Sequence, residues 1–399
     1  MRIAYLLADH GIPVFGDKGA SVHVRDFAGA LDALGHQVTL FCAKRGRAEA
    51  QVPFELVKVA VPPAGVVADE GDPLAARRAK EQRYQATARA MAEKVMALHQ
   101  QVPFDAIYER YSLWSTAGLE VARALGLPLV VEVNAPLLQE QQTYRRLVLR
   151  DEAEAVERAV FSRADALVVV SRPLADYVVA RGADPRRVEV VPNGVDRRRF
   201  HPRVRPASLS EAEGRVVIAF AGSLKAWHGV ELLFDAFREL HRRLAGLHLL
   251  VIGEGPLGEW LRGYVRGAGL QDRVTFTGWR SHDEVARLLA RADLAVAPYP
   301  ALDDFYFSPL KLFEYLALGK AVVASDIGQI AEVVEHGRTG LLVPPGDLAA
   351  LVEALEALVV DPALRQRMGV TAATAAEAFT WEANARRVEK LIRRIEAAA

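Results

Sequence analysis

With 399 residues, the chain is long enough to form two domains, each with a hydrophobic core of its own. Its 50 Lys and Arg residues balance its 50 Asp and Glu residues, and this zero net charge argues against a nucleic-acid-binding protein, which usually has a basic excess. The one cysteine, Cys42, rules out an internal disulfide and a cysteine-based zinc site, as suits a reducing cytoplasm.

The first eight residues are apolar, but this run is short and Asp9 follows it directly. It therefore predicts a core strand rather than a signal peptide. No uninterrupted apolar run approaches the roughly 20 residues that a membrane span requires. Basic clusters at residues 145–150 and 197–199 are better explained as solvated surfaces than as membrane contacts. We expect a cytoplasmic protein, and peripheral contact with the cytoplasmic face of a membrane stays open.

Apolar runs typical of β-strands alternate with amphipathic helical segments in two successive blocks. Helical periodicity covers residues 22–34, 230–244, 282–291 and 348–358, and a last helix at about 381–396 has no strand after it. Because uninterrupted apolar strands alternate with helices, each block predicts a parallel sheet covered on both faces, in a doubly wound α/β domain. Pro, Ser and Gly residues interrupt the pattern at about 196–214, where we place a hinge. The predicted strands are 3–8, 38–42, 54–59, 106–109, 129–133, 166–170 and 188–191, then 216–221, 247–252, 274–277, 294–297, 321–324 and 340–343.

In open parallel sheets, ligands bind beyond the carboxyl ends of the strands. Two facing sheets therefore predict one ligand cleft between the domains. Residues in the loops that follow the strands are the candidates for ligand binding.

The segment from Ser308 to residue 325 predicts a short loop, a helix, a glycine turn and a buried strand. Ser308 suits the cap of the helix and Pro309 its first position, where the missing N–H costs nothing. The free amides at such a helix start form an anion site, which the helix dipole strengthens. Glu314 follows about one and a half turns later, where a carboxylate can accept hydrogen bonds from vicinal hydroxyls. Anion and diol sites together fit a nucleoside diphosphate, although a capped helix with a solvated glutamate explains the segment equally well.

Two glycine-rich loops follow predicted strands. Gly16 and Gly19 precede Ser21, a candidate helix cap, and a glycine loop at a helix start lets the backbone approach a phosphate closely. This first loop contains neither Gly-x-Gly-x-x-Gly nor a P-loop, so it lacks the fingerprint of a dinucleotide or P-loop nucleotide site. Gly253 and Gly255 form a tight turn that is also a candidate to pass near the phosphates.

The loop after the first strand of the second block carries Ser223, Lys225, Trp227 and His228. Lys225 is expected to face the anion site at Ser308, although a lone lysine in a loop is usually just solvated. His228 is better explained as a hydrogen-bonded loop residue than as a metal ligand, because no partner lies at ligand spacing.

In their order and spacing, these motifs resemble those of the retaining, nucleotide-sugar-dependent glycosyltransferases of family 4, over nearly the whole chain. The resemblance implies the GT-B fold, in which two Rossmann-like doubly wound domains face each other across a cleft. It implies an acceptor-side domain at 1–196, a nucleotide-sugar-binding domain at 197–378 and a C-terminal helix at 379–399 that packs back on the first domain. The motifs are the Gly19 loop, Gly35-His36, Val170-Ser171, Asn193-Gly194-Val195-Asp196, Gly253-Glu254-Gly255, Phe276-Thr277-Gly278 and the Glu314 helix.

The resemblance also implies roles for individual residues. Glu314 would bind the ribose hydroxyls of the donor, and the amides near Ser308 would hold the diphosphate together with the Gly19 backbone. Trp279 and Arg280 would meet the base. The expected donor site consists of Gly19, Ser223, Lys225, His228, Gly253, Gly255, Trp279, Arg280, Ser308, Pro309, Leu310 and Glu314.

Two departures from the family pattern concern the donor. The family commonly has Arg and Lys where this chain has Ser223 and His228, so we assign the phosphate charge to Lys225. The family's carboxylate eight residues before the helix glutamate falls on Tyr306. A contact to the donor sugar is therefore missing or supplied by one of the two aspartates at 303 and 304.

A third departure concerns the acceptor. Glu132 and Asn134 stand where the family usually has a histidine, and they join Lys225 and Glu314 as catalytic candidates. A smaller branch of the family carries Ser-Pro-Leu-Lys in the helix and Glu-Val-Asn in this loop, and the chain resembles that branch in both places.

We therefore expect a retaining hexosyltransferase of glycan or glycoconjugate biosynthesis that uses a nucleoside-diphosphate sugar, with UDP favoured by family frequency. No Asp-x-Asp motif stands in the cleft loops, so we expect no metal and no cofactor. The alternatives are a sugar-nucleotide epimerase on a GT-B-like fold and an inactive GT-B binding scaffold. The acceptor, which can be a small molecule, a glycan or a lipid-linked sugar, and the oligomeric state stay open.

Overall fold

The structure, a computed structural model, describes residues 1–16, 18–47, 51–60 and 73–398. The chain divides into two compact units, one made of Met1–Pro192 with Trp381–Ala399, the other of Asn193–Thr380. The first boundary falls four residues before the expected end of the first domain at residue 196, and the C-terminal segment is part of the first unit.

The first unit contains a seven-stranded sheet in which every pair of neighbouring strands is parallel. The strand order is β3-β2-β1-β4-β5-β6-β7, as in a doubly wound domain. All seven strands predicted for this half are confirmed. They are β1 (Arg2–Leu7), β2 (Gln37–Cys42), β3 (Glu55–Lys58), β4 (Ala106–Arg110), β5 (Leu129–Val133), β6 (Ala166–Val169) and β7 (Val188–Val190).

Helices connect most of these strands, although β3 follows β2 with no helix among the described residues, and the last helix of the chain also belongs to this unit. Trp381 begins this last helix, is buried, and packs its ring 4.6 Å from that of His23 on the first helix. Asn384 Nδ2 donates a hydrogen bond to Pro192 O at 2.7 Å, which fixes the C-terminal helix beside the end of the first unit. The helices are α1 (Gly19–Ala33), α2 (Pro73–His99), α3 (Ala117–Leu125), α4 (Leu137–Tyr144), α5 (Arg150–Arg163), α6 (Arg172–Ala180) and α14 (Trp381–Ala398).

The second unit contains a six-stranded parallel sheet of order β10-β9-β8-β11-β12-β13. The six predicted strands are confirmed as β8 (Val216–Ala221), β9 (Leu247–Ile252), β10 (Val274–Gly278), β11 (Leu294–Ala297), β12 (Ala321–Ser325) and β13 (Gly340–Val343). The helices are α7 (Val230–Arg243), α8 (Gly258–Gly267), α9 (His282–Arg291), α10 (Leu310–Ala317), α11 (Gly328–Val333), α12 (Leu348–Val360) and α13 (Pro362–Ala375). None of the described helices is both long and apolar enough to span a membrane.

The central strands of this second sheet are buried on both faces, which explains why β9, β11 and β12 are mostly apolar. Along β8, Val217, Ala219 and Ala221 belong to one hydrophobic cluster, whereas Ile218 and Phe220 belong to the cluster on the opposite face. The loops after the strands therefore emerge from a rigid sheet.

Both predicted serine caps are wrong. Helix α1 begins at Gly19 with Lys18 at the cap position, so Ser21 lies inside the first turn, buried. Helix α10 begins at Leu310, and Pro309 rather than Ser308 occupies its cap position. The hydroxyl of Ser308 does not cap α10 because it accepts a hydrogen bond from Asn193 N at 2.9 Å.

Candidate functional site

Three loops at the carboxyl edge of the second sheet interlock through glycines. Leu224 N, in the loop after β8, donates to Glu254 O at 3.0 Å, and Gly253 N donates to Gly278 O at 3.0 Å. A Cβ atom at Gly255 would lie 2.5 Å from Leu224 N, so only glycine permits this packing. The local role of Gly253 and Gly255 is thus to hold the loop after β8 in place.

His228 lies at the end of a short 3₁₀ turn (Ala226–His228) in that loop. Its Nδ1 atom lies 2.6 Å from Ser223 O, and because a carbonyl only accepts, the ring proton is on Nδ1. Burial, followed by the positive charge of Lys311, lowers the pKa of His228 to about 3. The imidazole is therefore neutral at neutral pH and supplies no charge to the loop.

Lys225 begins the same turn and lies beside an aromatic ring. Its Nζ atom is 4.4 Å from the centre of the Trp227 ring, a cation–π distance, and Trp227 is itself exposed. Sequence reasoning assigned the phosphate charge to Lys225, and its position in the loop after β8 keeps it a candidate.

Lys311, on the second residue of α10, was missed by the sequence reasoning. Only 9% of the residue is exposed, and among the described residues no hydrogen-bond partner exists for its Nζ atom. The ammonium lies 4.2 Å from the centre of the Phe220 ring and 5.4 Å from that of Tyr299. Every residue of α10 from Lys311 to Ala317 is buried in the structure, and the local sequence of the helix does not show this.

Glu314, one turn further along α10, is 8% exposed. Its Oε1 atom lies 3.4 Å from Nε2 of His282, the first residue of α9. Tyr315, the next residue, fixes the helix to the sheet, because Ala221 N at the end of β8 donates to its hydroxyl at 2.7 Å. The carboxylate thus lies beside the start of α9, on a helix that Tyr315 ties to the end of β8.

The start of α10 is bonded to the segment that opens the second unit. Asn193 Nδ2 donates to Ser308 O at 2.7 Å, in addition to the bond from Asn193 N to the serine hydroxyl. Asn193 therefore fixes the backbone that leads into Pro309 and Leu310. Asn193, the first residue of the Asn193-Gly194-Val195-Asp196 motif, thus has a structural role within the second unit.

Trp279 and Arg280 follow β10 directly. Trp279 is 52% exposed, and Arg280 Nη1 donates to Trp279 O at 2.9 Å. An exposed indole at the carboxyl edge of a sheet offers an aromatic face for stacking.

The candidates in the first unit lie in a different environment. Glu132, on β5, is 4% exposed and accepts hydrogen bonds from His23 Nε2 at 2.6 Å and from Arg110 Nη1 at 3.3 Å. Burial alone would raise the pKa of this carboxyl, but His23 and Arg110 outweigh it and lower the pKa to about 2. Asn134 follows the strand and is half-buried, and Gly19 is exposed at the start of α1.

Two units, each built on a doubly wound parallel sheet, are the architecture of the GT-B fold. Residues 18–199 match the family described as Glycosyltransferase Family 4, and residues 215–361 match that described as Glycosyl transferases group 1. A D-inositol 3-phosphate glycosyltransferase of Arthrobacter sp. (strain FB24) is 31% identical over 94% of this chain and 89% of its own length. The chain belongs to glycosyltransferase family 4.

Other similar proteins differ in what their names say they act on. An alpha-D-kanosaminyltransferase of Streptomyces kanamyceticus is 29% identical over 63% of this chain and 67% of its own length. Among solved structures, a sucrose-phosphate synthase from Thermosynechococcus elongatus has a TM-score of 0.75 at 23% identity, with complete coverage of both chains. Anabaena HepE in complex with UDP and glucose has a TM-score of 0.72 at 19% identity and covers 99% of this chain and 100% of that one. These structures share the fold.

Proposed function

We propose that this glycosyltransferase takes a hexose from a nucleoside-diphosphate sugar, with UDP favoured, and transfers it with retention and without a metal ion. The observation that carries the proposal is Glu314, a nearly buried carboxylate on α10 whose Oε1 atom lies 3.4 Å from Nε2 of His282 at the start of α9. A carboxylate so placed suits the vicinal hydroxyls of a ribose. The start of the same helix, four residues earlier, suits the diphosphate.

In the proposed reaction, the bond between the anomeric carbon and the diphosphate oxygen breaks, and its electron pair stays on the diphosphate. An acceptor hydroxyl oxygen forms the new bond to the same face of the anomeric carbon, and its proton passes to the departing phosphate or to solvent. Because negative charge grows on the phosphate oxygen, preorganised cations and helix amides lower the barrier. We assign this task to Lys225 and the first amides of α10.

The names of similar proteins support a nucleotide-sugar donor and leave the acceptor broad. Structures of Anabaena HepE hold UDP, UDP with glucose, and UDP-glucose. The relatives include D-inositol 3-phosphate glycosyltransferases, an alpha-D-kanosaminyltransferase and a glycogen synthase. We therefore propose an acceptor that is a small molecule, a glycan or a lipid-linked sugar. Metal independence rests on the sequence, in which no Asp-x-Asp motif follows the strands.

The test is donor turnover with UDP-glucose, UDP-N-acetylglucosamine and GDP-mannose, each with and without a panel of sugar, inositol phosphate and lipid-linked acceptors. We expect acceptor-dependent release of the nucleoside diphosphate, a product that keeps the donor's anomeric configuration, and unchanged turnover in EDTA. Turnover that EDTA abolishes and Mn²⁺ restores would contradict metal independence. An isomeric sugar nucleotide formed without acceptor would indicate an epimerase, and absent nucleotide binding by calorimetry would indicate a binding scaffold.

A further inference from the structure

The ammonium group of Lys311 is buried without a hydrogen-bond acceptor among the described residues. Burial of an unpaired charge costs several kcal/mol or more, so proteins usually pair such groups. The Phe220 and Tyr299 rings, at 4.2 and 5.4 Å, offset only part of this cost. The site is therefore incomplete without an anion.

The position of Nζ indicates where the anion would lie. A Cβ atom at Gly222, the first residue after β8, would stand 2.6 Å from Lys311 Nζ. The ammonium therefore reaches the start of the loop that carries Ser223 and His228. Since α10 begins only one residue before Lys311, the helix amides and the ammonium lie on adjacent residues.

Among the described groups that face Lys311, Glu314 alone offsets part of its charge. From its own helix, Glu314 is the one carboxylate whose charge acts on it, and that carboxylate already contacts His282. Tyr315 is neutral, because burial raises its pKa far above the usual range. From the loop after β8, His228 is neutral as shown above. From the loop after β11, Tyr299 is neutral too, because burial raises its pKa well above the usual range.

We infer that Lys311 binds the diphosphate of the donor, and that its ammonium is left unpaired in the free protein so that the phosphate oxygens can pair with it. This inference rests on the proposed function and adds to it a phosphate-binding residue on α10. Lys311 should therefore raise the affinity for a nucleoside diphosphate much more than the affinity for a nucleoside without phosphate.

The inference has a consequence for pH. Burial lowers the pKa of Lys311 to about 7, while Glu314 acts weakly in the opposite direction. Below pH 7 the lysine is charged before the donor binds, whereas at pH 8 most of it is neutral. Because the bound diphosphate favours the charged form, binding at pH 8 should take up about one proton. The affinity should fall up to about tenfold per pH unit above 7.

The experiment compares Lys311→Met with Lys320→Met. Lys320 is a matched control, because it too is largely buried with a lowered pKa of about 8, but its Nζ donates to Ala290 O at 2.8 Å and to Ala292 O at 2.7 Å. Calorimetry measures the affinity for UDP, GDP and ADP, and compares each with the affinity for the corresponding nucleoside. Titrations at pH 8 in two buffers of different ionisation enthalpy give the proton uptake.

We expect Lys311→Met to weaken binding of the preferred nucleoside diphosphate by about 10- to 100-fold, as loss of a hydrogen bond to a charged group does. Nucleoside binding should be unchanged and proton uptake abolished. The free variant should melt at a higher temperature than the natural chain, since an unpaired buried charge is gone. Lys320→Met should melt lower and keep both the affinity and the proton uptake.

A folded Lys311→Met protein with unchanged diphosphate affinity would overturn the inference and leave the proposed function intact. If the natural chain binds none of the three diphosphates and turns over no donor, the proposed function itself fails.

Discussion

Glu314 offers the most direct test of the donor site at a single residue. We expect Glu314→Gln to weaken UDP binding by about 1.5–3 kcal/mol, the range for hydrogen bonds to charged groups. Because the ribose keeps the same contact in the ground and transition states, turnover at saturating donor should change less than binding. Calorimetry gives the affinity, and release of UDP gives the turnover.

Glu353→Gln is the control, because Glu353 is an exposed glutamate on α12. It should leave both quantities unchanged. A Glu314→Gln enzyme with normal affinity and greatly reduced turnover would give Glu314 a role in the chemical step and not in ribose binding.

Glu132 was a catalytic candidate, but its contacts favour a structural role. Glu132→Gln leaves Arg110 and His23 without their carboxylate, and we expect a loss of about 3–5 kcal/mol in the free energy of unfolding. The pKa of this carboxyl is lowered to about 2. Its contribution is therefore complete above pH 4.5, the ordinary value for a glutamate, and declines as the pH falls towards 2.

Urea unfolding of the two proteins between pH 2 and 7 measures this contribution. The difference in stability between the natural chain and Glu132→Gln should shrink as the pH falls towards 2, because Glu132 is then protonated and neither protein carries the carboxylate charge. A variant that is as stable as the natural chain yet inactive would return Glu132 to catalysis.

Lys311 shows why the sequence predicted some residues and missed others. Glu314 could be interpreted from its position alone, because a carboxylate about one and a half turns into a helix can accept hydrogen bonds from vicinal hydroxyls. Lys311 could not, because whether a lysine on a short helix is exposed depends on neighbours that are distant in sequence. Here Phe220 and Tyr299 come from two different strand–loop junctions and enclose its side chain.

Strands were the most predictable elements. All thirteen predicted strands are present. Burial on both faces makes the central strands of a parallel sheet apolar, whereas the edge strand β3 keeps exposed Glu55 and Lys58. The core helices α7 and α9 follow for the complementary reason, since each has one apolar face and one charged face.

Helix starts were less predictable, because they depend on competition for hydrogen bonds. Ser281 caps α9 as its type suggests, with Glu284 completing the capping box. Ser308 does not cap α10, since its hydroxyl accepts from Asn193, which is 115 residues away in the chain. Local sequence contains no sign of such a partner.

At the scale of the whole molecule, the sequence predicted the fold class from its pattern and the family from its motifs. The boundaries of the two units differ by a few residues from the expected ones, because a boundary depends on which tertiary contacts the flanking residues make. Asn193, assigned by motif to the first domain, bonds to Ser308 and so belongs to the second unit.

The two units carry different kinds of tryptophan, which allows their stabilities to be measured separately. Trp114 and Trp381 of the first unit are buried, whereas Trp227, Trp260 and Trp279 of the second are 44–52% exposed. Unfolding of the first unit should therefore shift the tryptophan emission strongly to the red, and unfolding of the second should change it little.

Because each unit has its own buried core, we expect two calorimetric transitions, of which one coincides with the emission shift. If the second unit binds the donor, UDP at 100 times its Kd should stabilise the other transition by about 2.7 kcal/mol and leave the emission-linked one in place. The Lys311→Met protein under the same UDP concentration is the control and should show little of this gain. A UDP-induced rise in the emission-linked transition would mean that the first unit also contacts the donor, as the family resemblance implies for Gly19. A single transition seen by both methods would contradict independent unfolding.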